Sequence, residues 1–341
     1  MKTLTLTIPD DWHLHLRDGK ALERTVGDTA RQFKRALVMP NLVPPITTIA
    51  AVEAYRERII KTIPADNEFT PLMTLYLTES MTVETIIAAA QHPHIIAAKL
   101  YPANATTNST AGVQNIKNIY PLLEAMQTYG LTLCLHGEVT HGDIFDREAY
   151  FLDEILTQLC QDFPELNLVL EHITTKEAVD FVKARPDCLG ATITPQHLLF
   201  NRNQLLVGGI KPHFYCLPIL KRETHQRALL QAASSGDPRF FLGTDSAPHS
   251  IHNKESDCGC AGTYSAYSAL ELYAQAFASV DALDKLEGFA SFYGADFYGL
   301  PRNQATITLQ QQQWQIPTSL SFADETVVPL AAGETIEWKK Q

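Results

Sequence analysis

The sequence predicts an α/β protein, a (β/α)8 TIM barrel in which parallel strands alternate with helices. Eight short apolar runs recur along the chain, several are apolar on both faces as a parallel strand covered on both sides must be, and the longer stretches between them carry helical periodicity. The runs are WHLHL (12–16), ALVMPN (36–41), TPLMTLYLT (70–78), HIIAAKLY (94–101), LTLCLHGE (131–138), LNLVLEHI (166–173), LGATITPQH (189–197) and RFFLGTDSAPH (239–249). Strand-helix units joined by right-handed crossovers close most simply into a barrel.

The intervening stretches justify the helices one by one. In TIAAVEAYRERIIK (48–61), Ile49, Val52, Tyr55 and Ile59 recur every three or four residues while Glu53, Arg56, Glu57 and Lys61 face the other way, which predicts a surface helix. REAYFLDEILTQLCQDF (147–163) reads the same way. So does TKEAVDFVKAR (175–185), which starts on a threonine able to cap and ends on basic residues that suit the helix dipole. AYSALELYAQAFASV (266–280) supplies the helix after the last run. Outside this scheme, TLTLTI (3–8), ATITLQQQQWQI (305–316) and ETIEWKK (334–340) alternate as half-buried antiparallel strands and predict a small accessory sheet from the two termini. The expectation is one domain over 1–341, with the barrel spanning about 10–300.

With 45% hydrophobic and 19% charged residues, the 341-residue chain can bury a large core. Its net charge of −11, with lysine and arginine scattered, argues against a nucleic-acid or anionic-membrane surface, so any bound anion must be attracted locally. No run approaches the roughly 18 apolar residues of a membrane helix, and MKTLTLTIPDDWH lacks the apolar core of a signal peptide, so the expected address is the cytoplasm. The six cysteines form no disulfide framework. Cys134 reads as core, and Cys258 with Cys260 in DCGCAG reads as a small-residue loop in preference to a metal-ligand pair, which would lack a second C-x-x-C.

Chemistry in a parallel barrel sits at the C-terminal strand ends. There the polar residues are His13 and His15 on run one, Asn41 on run two, Lys99 on run four, His136 on run five, His172 on run six and Asp245 on run eight, with His249 just beyond. One H-x-H alone fits an ordinary polar surface. Four histidines and an aspartate spread over several units are the ligand set that zinc and related divalent ions favour, and they are too many for one catalytic zinc; two metals are the natural reading. Arg17, in the same period-two row as the histidine pair, can grip a carboxylate bidentately. His92, His94, His141, His213, His225 and His252 read as solvated or hydrogen-bonded rings, and His197 is left open.

The strings HLHLR, MPN, AAKLYPA, HGE, EHIT, TITPQH and GTDSAPH together resemble the dihydroorotases of the amidohydrolase superfamily, of the short type found in many Gram-negative bacteria, over about Asp10 to Leu300. The resemblance implies a binuclear zinc centre. His13, His15, Lys99 and Asp245 would hold the first Zn²⁺, and Lys99, His136 and His172 the second. Lys99 would be N6-carboxylated, an anionic bridge that holds two dications together where an ammonium would drive them apart.

The reaction implied is the reversible, zinc-dependent hydrolysis of the cyclic amide of (S)-dihydroorotate to N-carbamoyl-L-aspartate, in pyrimidine (UMP) synthesis, by a homodimer. Asp245 would be the catalytic acid and base, while Arg17, Asn41, Thr106, Thr107, Leu217, His249 and Ala261 would contact the substrate. The segment PANATTNST after Lys99 suits a mobile lid and equally a merely flexible loop. Two other readings remain. A hydantoinase or allantoinase would use the same cage on a neutral ring but has no need of Arg17 or the MPN asparagine, and a non-catalytic barrel would have lost ligands that are all present here.

Overall fold

A computed structural model describes residues 2–185 and 188–341. Strand β1 (Thr3–Thr7) precedes the barrel strands β2 (Asp10–Leu14), β3 (Arg35–Val38), β4 (Thr70–Tyr76), β5 (Ile95–Leu100), β6 (Thr132–His136), β7 (Leu168–Glu171), β8 (Leu189–Ile193) and β9 (Phe240–Leu242). These eight form one sheet in sequence order, and every pair is parallel. Backbone bonds from Asp245 N–H to the His13 carbonyl (2.8 Å) and from His15 N–H to the Ser246 carbonyl (2.9 Å) join the last strand's exit to the first strand. The helices cap as their sequences direct: Thr48, Thr82, Thr175 and Thr194 each accept from the backbone N–H three residues on.

Past the barrel, β10 (Thr306–Gln315), β11 (Leu320–Phe322), β12 (Glu325–Val327) and β13 (Thr335–Lys340) follow. The accessory sheet is the one expected: β10 lies between β1 and β13, antiparallel to both. The β11–β12 hairpin was not foreseen. Several strand ends fall short of the sequence reading. Run one ends as strand at Leu14, run two at Val38, run six at Glu171, run seven at Ile193 and run eight at Leu242, so His15, Asn41, His172, His197 and Asp245 lie beyond their strands. His197 lies in the short helix Pro195–Leu199, because Thr194 caps it and Pro195 suits its first turn. The long helix after β6 is continuous but widens into a π turn at Leu152–Leu156.

One apolar layer fills the space between sheet and helices; a second fills the barrel. The inner layer holds Trp12, Leu37, Met39, Leu72, Ala97, Cys134, Val169 and Phe241. Residues of the same parity higher on these strands therefore point to the mouth: Lys99, His136 and Glu171; Asn41 and Asp245 reach it from the turns that follow β3 and β9. A register shift between Asp11 and Leu14 lets Trp12 join the lower layer while His13 faces the mouth. The helix Tyr293–Phe297 seals the bottom, with Tyr298 stacked on Trp12 at 4.6 Å. No described helix is long and apolar enough to cross a membrane.

Gly294 packs directly on Trp12: a Cβ there would lie 2.0 Å from the indole Nε1. Gly294→Ala is expected to destabilise the fold by about 1–3 kcal/mol, as overpacking does. The urea midpoint reads this out, and an unchanged midpoint would show that the barrel floor yields without strain.

Candidate active site

The site assembles at the seam of the barrel. Asp11, fully buried on β2, accepts from Thr244 N–H (2.9 Å), Thr244 hydroxyl (2.6 Å) and His13 N–H (3.2 Å), locking the strand that carries the histidine pair to the turn that carries Asp245. Burial pushes the Asp11 carboxyl up to about 7 against those bonds. The result is convergence: one ligand atom each from His13, His15 and Asp245 lies within 4.8 Å of the others, all buried. His172 stands between His13 and His136, with ring centroids 4.9 Å from each.

The donor set fits a cation. His15 Nδ1 lies 2.7 Å from Asn41 Oδ1, so the proton sits there and the lone pair of Nε2 faces Asp245 Oδ1 at 3.2 Å. Burial pushes His15 down to about 4, so the ring is neutral at ordinary pH and its lone pair meets an anion with nothing positive between them unless a cation binds. His13 is arranged alike, with Nδ1 2.9 Å from Glu171 Oε2 and Nε2 3.4 Å from Asp245 Oδ1. Here burial lowers the ring's affinity for a proton, but the Glu171 carboxylate more than offsets it. Asp245 is held well below the usual carboxylate range: burial opposes this, and the neighbouring His13 ring, whose affinity for a proton is raised, outweighs it. His172 Nδ1 is buried with no partner.

Lys99 Nζ is fully buried and unpartnered, 5.2 Å from the centre of the Tyr101 ring. Burial lowers its pKa, with Glu171 opposing. A neutral amine is what carboxylation by CO₂ requires, so the chemistry of this position fits the modification.

All the site residues expected from the sequence except Lys99 and His249 line one cavity at the mouth. Lys99 is not among its lining residues, and His249 lines an adjoining cavity together with Arg17. Arg17 donates from Nε to the Pro248 carbonyl (3.0 Å), its own carbonyl is held by Tyr55 (2.6 Å), and among the described residues no carboxylate pairs with its guanidinium. His249 Nε2 is 3.0 Å from both Arg17 Nη2 and the Ala261 carbonyl, and a neutral ring serves one of them at a time. The 103–111 loop leans over the cavity: Thr107 donates to the Ala261 carbonyl (3.2 Å), and Asn41 and Asn108 tie it to β3's exit (3.1 and 3.0 Å). Arg17, His172 and Asp245 all have left-handed backbones, with φ of 62°, 42° and 44°. Each such residue costs on the order of 1–3 kcal/mol, so the surrounding bonds hold the mouth in a strained shape.

Sequence reasoning missed Glu171, Glu138 and Asp11. Glu138 Oε2 lies 3.1 Å from His136 Nε2. Asp11 shares the period-two row of His13 and His15, and Glu171 has the inward parity of Val169; that regularity was the available signal. His197, left open, is a hydrogen-bonded core ring, 2.7 Å from Thr194 Oγ1 and 3.0 Å from the Pro218 carbonyl. Cys134 is core as expected. The sulfurs of Cys258 and Cys260 stand 3.7 Å apart in a loop, with no His, Asp or Glu grouped with them as ligands among the described residues.

Residues 7–313 match the Amidohydrolase family. The chain belongs to that family. A protein from Teredinibacter turnerae named dihydroorotase is 59% identical over 341 residues, covering 99% of each chain. The crystal structure of a dihydroorotase from Campylobacter jejuni superposes with a TM-score of 0.92 at 36% identity, covering 99% of this chain and 97% of that one. That of a Saccharomyces cerevisiae dihydroorotase in complex with 5-fluoroorotic acid gives 0.91 at 34% identity, over 100% and 99%.

His15 and His197 are both pushed down to about 4 by burial. An unfolded histidine titrates near 6.5, so between pH 6.5 and 4 the unfolded chain binds protons that the folded chain refuses, and stability falls as pH falls. Each ring contributes at most about 1.4 kcal/mol per pH unit, and Asp11, pushed up to about 7, works in the opposite direction and offsets one of them, which leaves a net fall. Chelator-treated protein should show urea midpoints that drop across this window, and His197→Gln should flatten the slope. A midpoint independent of pH there would contradict the neutral assignment of both rings.

Proposed function

We infer that this chain is a dihydroorotase, hydrolysing the cyclic amide of (S)-dihydroorotate reversibly to N-carbamoyl-L-aspartate in pyrimidine synthesis. The observation that carries the reading is Arg17: an arginine without a carboxylate partner among the described residues, in the same cavity as the converging His13, His15 and Asp245. A neutral hydantoin ring would leave that guanidinium unanswered. Identity of 59% to a protein named dihydroorotase supports the same choice.

In this reading His13, His15, Lys99 and Asp245 would hold one Zn²⁺ and Lys99, His136 and His172 the other, with Lys99 carboxylated on Nζ so that it could serve both. When bound, the pair supplies Lewis acidity, polarising the ring amide carbonyl and acidifying water. Arg17, with Asn41 and His249, receives the substrate carboxylate and fixes the ring's orientation. The backbones at Leu217 and Ala261 face the ring, and Thr106 and Thr107 exclude water as their loop settles. Asp245, anionic at neutral pH, takes the proton of the attacking water and delivers it to the ring nitrogen as the carbon–nitrogen bond breaks. The chain acts as one domain over 1–341, as a homodimer in the cytoplasm, on a small molecule and with neither nucleic acid nor membrane as partner.

L-dihydroorotate hydrolysis by the purified protein should stop on chelation and return with zinc and bicarbonate. Turnover that survives complete metal removal would overturn the metal assignment. Arg17→Met should lower kcat/KM for dihydroorotate by about 10- to 100-fold, the loss of a charge-assisted grip. Equal activity of that variant would place the carboxylate elsewhere. Asp245→Asn should cut kcat by about 100-fold or more, measured at matched zinc content.

A further inference from the structure

We propose that Lys254 is a positioning residue for substrate binding, a buried clamp that sets the spacing of the two loops whose residues Leu217 and Ala261 line the site cavity. This rests on the dihydroorotase reading only for the choice of substrate. Lys254 ends the short helix Ile251–Lys254 and is 3% exposed. Its ammonium donates to three backbone carbonyls: Tyr215 (2.8 Å), Cys260 (2.7 Å) and Gly262 (2.8 Å). Two of these flank Ala261, and the third lies two residues before Leu217.

Every proton of the ammonium is used, and among the described residues no carboxylate pairs with it. A buried charge without a counter-ion is an expensive way to fill space, which a methionine would fill more cheaply. What it adds is direction. Three carbonyls from two loops must converge on one point, and their backbones follow. The loops also meet directly, Gly262 N–H donating to the Tyr215 carbonyl at 3.0 Å, so the clamp sits on their joint. Gly262 has φ of 145°, and a Cβ there would lie 2.5 Å from the Ala247 carbonyl, so this backbone is pressed against the mouth. The Ala261 carbonyl in turn receives Thr107, so the clamp also sets where the covering loop lands. Lys254 does not line the cavity itself; it acts through the loops that do.

The test is steady-state kinetics of wild type, Lys254→Met and Lys254→Gln on L-dihydroorotate and on hydantoin, with orotate affinity, zinc content and melting temperature for each. Lys254→Met should raise KM and the orotate Kd together by about tenfold, the effect of losing one strong hydrogen bond's worth of positioning. Its kcat should stay within about threefold, with zinc content unchanged. Lys254→Gln, which keeps an amide donor but no charge, should fall between. Unchanged KM and Kd in Lys254→Met would overturn the proposal, as would a loss confined to kcat or to zinc content. Should Lys254→Met fail to fold, Lys254→Gln decides alone: wild-type KM and Kd sink the clamp. If wild type cleaves hydantoin and not dihydroorotate, the substrate reading falls, and the clamp is then judged by the same KM shift on hydantoin.

Discussion

Two backbone hydrogen bonds, Asp245 N–H to the His13 carbonyl and His15 N–H to the Ser246 carbonyl, join the first barrel strand to the exit of the last, with the buried Asp11 carboxylate bracing them through Thr244. The residues on either side of that join are His13, His15 and Asp245. Closing the barrel and assembling the ligands are therefore one event. A chain that failed to close would leave the histidine pair and the aspartate more than 200 residues apart in sequence, with no local force to unite them.

Electrostatics complete what closure begins. Burial drives His15 and His172 toward their neutral forms and Lys99 toward the free amine, while Asp245 stays anionic because imidazole nitrogens surround it. Water would blur these differences, and burial at the mouth sharpens them. The same isolation would let a chain of net charge −11 hold an anion, because the nearby guanidinium of Arg17 would outweigh distant, screened carboxylates.

Rigidity has a structural source as well. Left-handed backbones at Arg17, His172 and Asp245 persist because each is tied on more than one side: Tyr55 and Pro248 hold Arg17, Thr192 holds the His172 N–H at 2.7 Å, and the seam holds Asp245. The His172 case shows why strand alternation alone is insufficient. By parity Glu171 faces the barrel and His172 should face the helices, yet the left-handed turn swings the imidazole back beside His13 and His136.

The sequence by itself determined the order of strands and helices, the accessory sheet, and the row His13, His15 and Arg17, since periodicity is a local property that burial enforces. Position at run ends also pointed to the remaining candidate ligands, and the strings resembling dihydroorotases added Lys99, which no spacing rule selects. Tertiary structure decided the rest. That Asp11 braces the seam, that Glu171 orients His13 while Glu138 meets His136, that His197 is a core ring, and that Lys254 gathers carbonyls from two loops all depend on contacts between residues far apart in the chain. Such contacts leave no periodic trace, because a carbonyl or a buried carboxylate is chosen by where the backbone arrives in space and not by its neighbours in sequence.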